Sequence, residues 1–174
     1  MSELEFTFDK EKAIETILYL ANRIKRPTYH SITHLIYFAD KTSLEKYGRF
    51  ICGDDYYAME FGPVPSSVYN MLKESVDTDK YGFITDPRPR IKPRRESNLE
   101  FFSESDLECL NIAIESYGED PFWKIRDESH DAAYKQAWDD RGSADSKRMS
   151  VESIVRLLKD SDELLAYLSG QPIE

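Results

Sequence analysis

The residues of this chain whose types and spacing could do chemistry are three histidines, two cysteines and a few paired acids. His30 and His34 stand four apart, which puts two imidazoles on one helix face and suits a pair of metal ligands. The run is His30-Ser31-Ile32-Thr33-His34, so Ser31 stands where a zinc-protease helix needs its glutamate. With no third ligand in the sequence, the pair reads as a capping His30 and a packed His34. Ser129, His130 and Asp131 are the residue types of a hydrolytic triad. A triad is made by convergence in space, however, and the chain has no Gly-x-Ser-x-Gly turn to expose the serine. His130 is instead expected to hydrogen-bond backbone near a helix start. Gly48, Gly53 and Gly62 are scattered turn glycines and form no phosphate loop. Asp54-Asp55 and Asp139-Asp140 are adjacent acids at turns, where solvation is the ordinary state. Cys52 and Cys109 lack Cys-x-x-Cys spacing and read as reduced structural thiols. These residues predict a protein that is not an enzyme and needs no metal or cofactor.

Charge narrows the partners. The net charge is −10, yet Arg88, Arg90, Lys92, Arg94 and Arg95 put +5 into one proline-rich stretch, leaving −15 on the rest. Residues 103–174 alone hold 17 acids against 8 bases. Such a field repels nucleic acid and attracts a basic partner. The stretch from Pro87 to Arg95 lacks the aromatic or helical platform that reads nucleic acid and is expected to be a solvated hairpin tip. No segment is apolar for 18 residues, and acids occupy the N-terminus where a signal peptide needs bases. A soluble, cytoplasmic protein without a membrane segment is expected. At 174 residues, with 40% hydrophobic and 13% aromatic side chains, the chain can bury a core as one domain over 1–174.

The elements that must position these residues follow from periodicity. Asp9 can cap a helix over about 10–25 with Ile14, Ile17, Leu18, Ala21 and Ile24 as its buried stripe, ended by Pro27. A second, over about 31–47, buries Ile32, Leu35, Ile36 and Ala39 and stops at Gly48. Phe50 to Phe61 then reads as two short strands around a Gly53-Asp54 turn. A third helix over about 66–76 carries Val68, Met71 and Leu72. Tyr81–Asp86 and Ser97–Phe102 look like a second strand pair, joined by the basic loop. A fourth helix runs from a Ser103 or Ser105 cap to Gly118, and Pro121 opens a short one with Phe122, Trp123 and Ile125. Another spans His130 to Trp138, packing Tyr134, Ala137 and Trp138. Gly142–Arg148 is a loop. Ser150 caps a last helical region over 150–174, with a break near Asp160-Ser161. The fold class expected is mainly α with a small antiparallel β-sheet: an α+β, compact helical domain with β-hairpins.

One stretch resists this scheme. Gly62-Pro63-Val64-Pro65 follows Tyr56-Tyr57 and precedes an apolar helix. Its prolines fix φ twice, remove two backbone donors and press Gly62 and Val64 toward extended geometry. A stiff corner without regular hydrogen bonding is predicted, turning strand into helix with Val64 or Ser66 at the helix start. A rigid corner also costs little entropy to dock. Tyr57, Phe61, Pro63, Pro65 and Tyr69 are therefore candidates for a binding rim. Strand alternation puts Tyr57, Met59 and Phe61 on one face, expected to be at least partly exposed.

The run from Tyr37 to Leu72 resembles the signature of the Panacea-domain antitoxins, the SocA-like and GepA-like proteins. Tyr37, Phe38, Ala39 and Asp40 match its first block, and Tyr47, Gly48 and Arg49 its second. Gly53 and Asp54 match a turn, and Gly62, Pro63, Val64, Pro65, Val68 and Tyr69 its last block. The later Ser129–Trp138 resembles the family's Ser-His…Ala-Trp element through His130 and Trp138. It departs upstream, where Asp127 and Glu128 replace a small apolar residue. The resemblance covers roughly 10–140.

It implies an antitoxin of bacteria or their phages that neutralises a co-encoded protein toxin by direct binding. The alternative it implies is an adaptor that delivers the toxin to a ClpXP-type protease. DNA-binding relatives carry an extra preceding domain, for which a helix starting about ten residues in is expected to leave no room. Two rival classes need other features. A winged-helix regulator needs a basic recognition helix, and the second helix offers only Lys41 and Lys46 against Asp40 and Glu45. A metal enzyme needs a third ligand beside His30 and His34.

Overall fold

The computed structural model describes residues 3–170; the last four residues of the expected C-terminal helical region lie outside the described residues. Helix α1 (Lys10–Arg23) opens where Asp9 accepts the Lys12 N–H (3.1 Å). Helix α2 (Tyr29–Tyr47) opens on a capping box between Thr28 and Ser31 and closes at Gly48 in the left-handed region, φ 73°. The cap is Thr28, not His30. Helix α2 is apolar nearly all round: Ile32, Leu35, Tyr37, Ala39 and Leu44 are fully buried. A helix patterned this way belongs at the centre of a fold. Accordingly α4 (Glu104–Tyr117) and α5 (Phe122–Ser129) pack against it.

The strands pair differently from the expectation. Strand β1 (Tyr56–Met59) forms a hairpin with β2 (Gly62–Pro65), turning at Glu60-Phe61 rather than at Gly53-Asp54. Phe50–Cys52 is not a strand, because its backbone is claimed elsewhere. Ile51 N–H donates to Asp40 Oδ1 (2.7 Å), and the Cys52 carbonyl accepts Asp9 N–H (2.8 Å). Nor is Asp54 solvated: its buried carboxylate accepts the Asp55, Ser67 and Val68 N–H groups, anchoring the start of α3 (Ser66–Glu74).

The Gly-Pro-Val-Pro run is itself the strand β2, which corrects the expected corner without a ladder. Its prolines are two residues apart, so both missing N–H groups fall on one strand edge. With sheet order β2-β1-β5, that edge is the outer one, where proline is tolerated. Strand β5 (Lys147–Arg148) lies inside the stretch expected to be a loop, paired with Tyr57 and Ala58.

The second hairpin joins β3 (Phe83–Thr85) to β4 (Ile91–Pro93), so the basic stretch supplies the partner strand itself. Leu99–Phe101 is a 3-10 turn, not a strand, and only Pro87–Arg90 forms the exposed tip. Arg95 grips buried Glu15 through two 2.8 Å bonds, which hold that carboxyl below its usual range. Helix α6 (Ala132–Asp140) starts at Asp131, and α7 (Val151–Val155) at Ser150. A left-handed Asp160 (φ 53°) separates α7 from α8 (Ser161–Leu168). The described residues are mainly helical with small antiparallel sheets, an α+β fold. None of the described helices is long and apolar enough to cross a membrane.

Candidate functional site

Strand β2 lies against the N-terminal half of α2 and against α5, and all three histidines of the chain meet beneath it. Gly62, at φ 135°, is the contact point. A Cβ there would stand 2.8 Å from His34 Cε1, 2.8 Å from Ser129 Oγ and 3.5 Å from His130 Cδ2. Only glycine fits this backbone and this space.

His34 is fully buried, and neither ring nitrogen has a hydrogen-bond partner; the carbonyls of Pro63 and Phe61 are the backbone groups that face it. Burial, reinforced by neighbouring His30, lowers its pKa to about 3. Burial also lowers that of His30. His130 Nε2 is likewise buried without a partner, not bonded to backbone as expected. Ser129 Oγ donates to the Arg126 carbonyl (2.6 Å). Asp131 is occupied by Tyr37 OH (2.6 Å), Lys41 Nζ (3.0 Å) and the Tyr134 N–H (3.0 Å). With Ser129 and Asp131 both engaged elsewhere, Ser129, His130 and Asp131 do not form a triad. Among the described residues no group of three His, Cys, Asp or Glu side chains could hold a metal ion.

Above this buried layer the rings continue to the surface. Tyr69 meets Tyr29 at 5.0 Å, Tyr29 meets His30 at 5.2 Å, and His30 meets Phe61 at 5.3 Å and Phe122 at 5.1 Å. Phe61 is 43% exposed, Phe122 37%, and Trp123, next along α5, 59%. Lys73 lies 4.5 Å over the Tyr69 ring and Arg126 5.6 Å over Phe122, so cations already border this surface.

The structure brings two of the five rim candidates together here, Phe61 and Tyr69. Pro63 and Pro65 are buried and stiffen the strand from behind, and Tyr57 is half-buried beside Met59, outside this chain of rings. Phe61 departs from the face it was expected to share because it occupies the turn. The sequence reading missed Tyr29, His30, Phe122 and Trp123 as members of one surface. The available signal was their position: each pair follows directly on a helix start, at Thr28 or Pro121.

The remaining motif residues hold the frame. Asp40, fully buried, accepts the Ile51 N–H and the Tyr56 OH (2.6 Å), and burial raises its pKa to about 7. Tyr37 ties α2 to Asp131, Phe38 stacks on Tyr117 at 4.2 Å, and Ala39 is fully buried. Tyr47 donates to Glu108, while Arg49 pairs with buried Asp106 at 2.9 Å. A Cβ on Gly53 would lie 2.1 Å from the Thr7 carbonyl oxygen, so the N-terminal segment crosses directly over it. Val64 and Val68 are buried, and Trp138 stacks on Tyr134 at 6.1 Å.

The model of the SocA-like antitoxins, Panacea domain, matches residues 32–139, more than half of the chain. No curated protein and no solved structure matches it. The matched span runs from α2 to α6 and contains β1, β2 and the Asp40, Asp54 and Gly62 contacts described above. The chain therefore belongs to the SocA-like, Panacea-domain family of antitoxins.

Proposed function

We propose that this chain is a cytoplasmic antitoxin that neutralises a basic, co-encoded protein toxin by direct binding on the aromatic surface around Phe61. The observation that carries this reading is the ring-to-ring surface of Tyr69, Tyr29, His30, Phe61 and Phe122, laid on the Gly-Pro-Val-Pro strand. Aromatic anchors on a rigid base supply large contact area at low conformational cost, the composition of binding hot spots. Pro63 and Pro65 contribute the rigidity, Tyr69 closes the far end of the ring surface through Tyr29, and Tyr57 lies outside it on β1. The acidic field of the rest of the chain steers a basic partner toward it.

Co-expression with the neighbouring gene tests the reading. Growth rescue, copurification and an on-rate that falls as salt rises are expected, because screening weakens steering. A toxin that disappears only when a ClpXP-type protease is present assigns delivery instead of sequestration. Growth rescue with no complex and unchanged toxin levels overturns direct binding in both forms.

A further inference from the structure

A second surface lies apart from the aromatic one. Residues 3–9 belong to no helix, turn or strand, with Leu4, Phe6 and Phe8 half-buried and Glu3, Glu5 and Thr7 exposed in strict alternation. This is the pattern of a strand with one face on the core. Yet among the described residues no backbone hydrogen bond ties residues 4–8 to any element, the first being Asp9 N–H to the Cys52 carbonyl. Beside this unpaired segment opens a groove of about 800 Å³, floored by Leu4, Phe6 and the half-buried Leu165 and Leu168 of α8. Its charged lining is Glu3, Glu5, Glu152 and Asp162 against Arg156 alone, and Arg156 is already paired with Glu152 at 2.9 Å.

We infer that this groove takes an extended partner segment with alternating basic and apolar side chains, added as a strand along Glu3–Thr7. An unpaired, alternating segment offers backbone donors and acceptors to such an addition, apart from the Thr7 carbonyl, which packs over Gly53. The apolar side chains of the guest drop onto Leu4, Phe6, Leu165 and Leu168, and its basic ones meet Glu5 and Asp162, which make no salt bridge among the described residues. Charge selects against an acidic guest.

The probe is a fluorescent peptide of about eight alternating lysine and valine residues, enough to span Glu3–Thr7, compared with its glutamate–valine counterpart. Anisotropy with the full chain should show saturable binding of the basic peptide only, weakening as salt rises. The exposed double variant Glu5→Lys, Asp162→Lys should lose about tenfold or more in affinity at unchanged melting temperature. Leu165→Asp is the second variant and should abolish binding in a chain that remains folded by circular dichroism. Phe61→Ala should leave this binding unchanged, so failure here and failure of the aromatic docking surface are told apart. Equal binding of both peptides, or full affinity in the charge-reversed variant, overturns the inference. So does tighter peptide binding after removal of residues 171–174, which would give the groove to the chain's own end. A concentration-dependent dimer lost in Leu165→Asp would give it to a second copy and overturn the inference equally.

Discussion

Helix α2 buries two polar regions within two turns of each other, and their surroundings are opposite. Toward its C-terminal half, Asp40 is saturated: one oxygen takes the Ile51 N–H and the other the Tyr56 OH. Toward its N-terminal half, His34 is as deeply buried and has no partner on either nitrogen, with His130 Nε2 in the same condition nearby. A saturated buried group locks backbone segments together, whereas a partnerless one destabilises by about 1–3 kcal/mol. The fold carries that cost directly beneath Gly62 and the exposed rings of Phe61 and Phe122. Departures from polar satisfaction gather where function constrains the packing. The contrast therefore separates the saturated part of the molecule from the surface proposed for partner binding.

The largest expected effect breaks the saturated side. Asp40→Ala strands a buried amide and a buried phenol, and should cost about 3–5 kcal/mol in urea unfolding. A loss below about 1 kcal/mol would erase the contrast. On the other side, Gly62→Ala forces a Cβ against His34 and Ser129 at an unfavourable φ and should cost about 2–3 kcal/mol. Adding His34→Ala should recover part of that loss, because the two sites share one contact.

Binding sharpens the comparison next. Phe61→Ala and Phe122→Ala should each weaken the toxin complex by about 1–3 kcal/mol with little change in melting temperature. Pro63→Ala with Pro65→Ala should do the reverse, lowering stability by about 0.5–2 kcal/mol while affinity per folded molecule holds. Titration calorimetry beside thermal melts distinguishes the two patterns.

The two buried groups also titrate in opposite senses. Asp40, raised to about 7, keeps in the folded state a proton that the unfolded chain releases above its ordinary value of 3.8. Its contribution is therefore most favourable at low pH and declines as pH rises toward 7. His34, lowered to about 3, refuses a proton that the unfolded chain binds below 6.5. Its contribution is full above 6.5 and is lost as pH falls toward 3. Between about pH 4 and 6.5 the two slopes, each up to about 1.4 kcal/mol per pH unit, offset one another. Asp40→Asn should uncover a stability that falls on acidification through this window, and His34→Leu one that rises. Parallel profiles for the wild type and both variants would show that neither group titrates as described. The smallest effect is His34→Leu near neutral pH. Leucine relieves the unsatisfied ring nitrogens but loses the fit of the imidazole ring, so the two effects offset and the net change in stability should stay below about 1 kcal/mol.

The helices were legible because each has a local cause. Asp9, Ser103 and Ser150 place caps, Gly48 a stop, and the apolar spacing of α1 and α2 repeats through the sequence, although the cap of α2 is Thr28 where His30 was expected. Strand pairing was not legible in the same way. Phe50–Cys52 has the composition of a strand, but Asp40 and Asp9 take its backbone from distant positions in the chain. Gly62–Pro65 has the composition of a non-strand, yet its two-residue proline spacing matches the outer edge of a hairpin.

By itself the sequence determined the helical frame, the family and the uneven acidic charge, because capping, periodicity, ordered motifs and net charge are properties of neighbouring residues. Only the tertiary structure decided what the motif residues do. It buried Pro63 and Pro65, drew Tyr29, His30, Phe61 and Phe122 onto one surface, and left His34 without a partner while saturating Asp40. Those outcomes depend on contacts between residues tens of positions apart, and burial and satisfaction are fixed by what arrives from elsewhere in the chain.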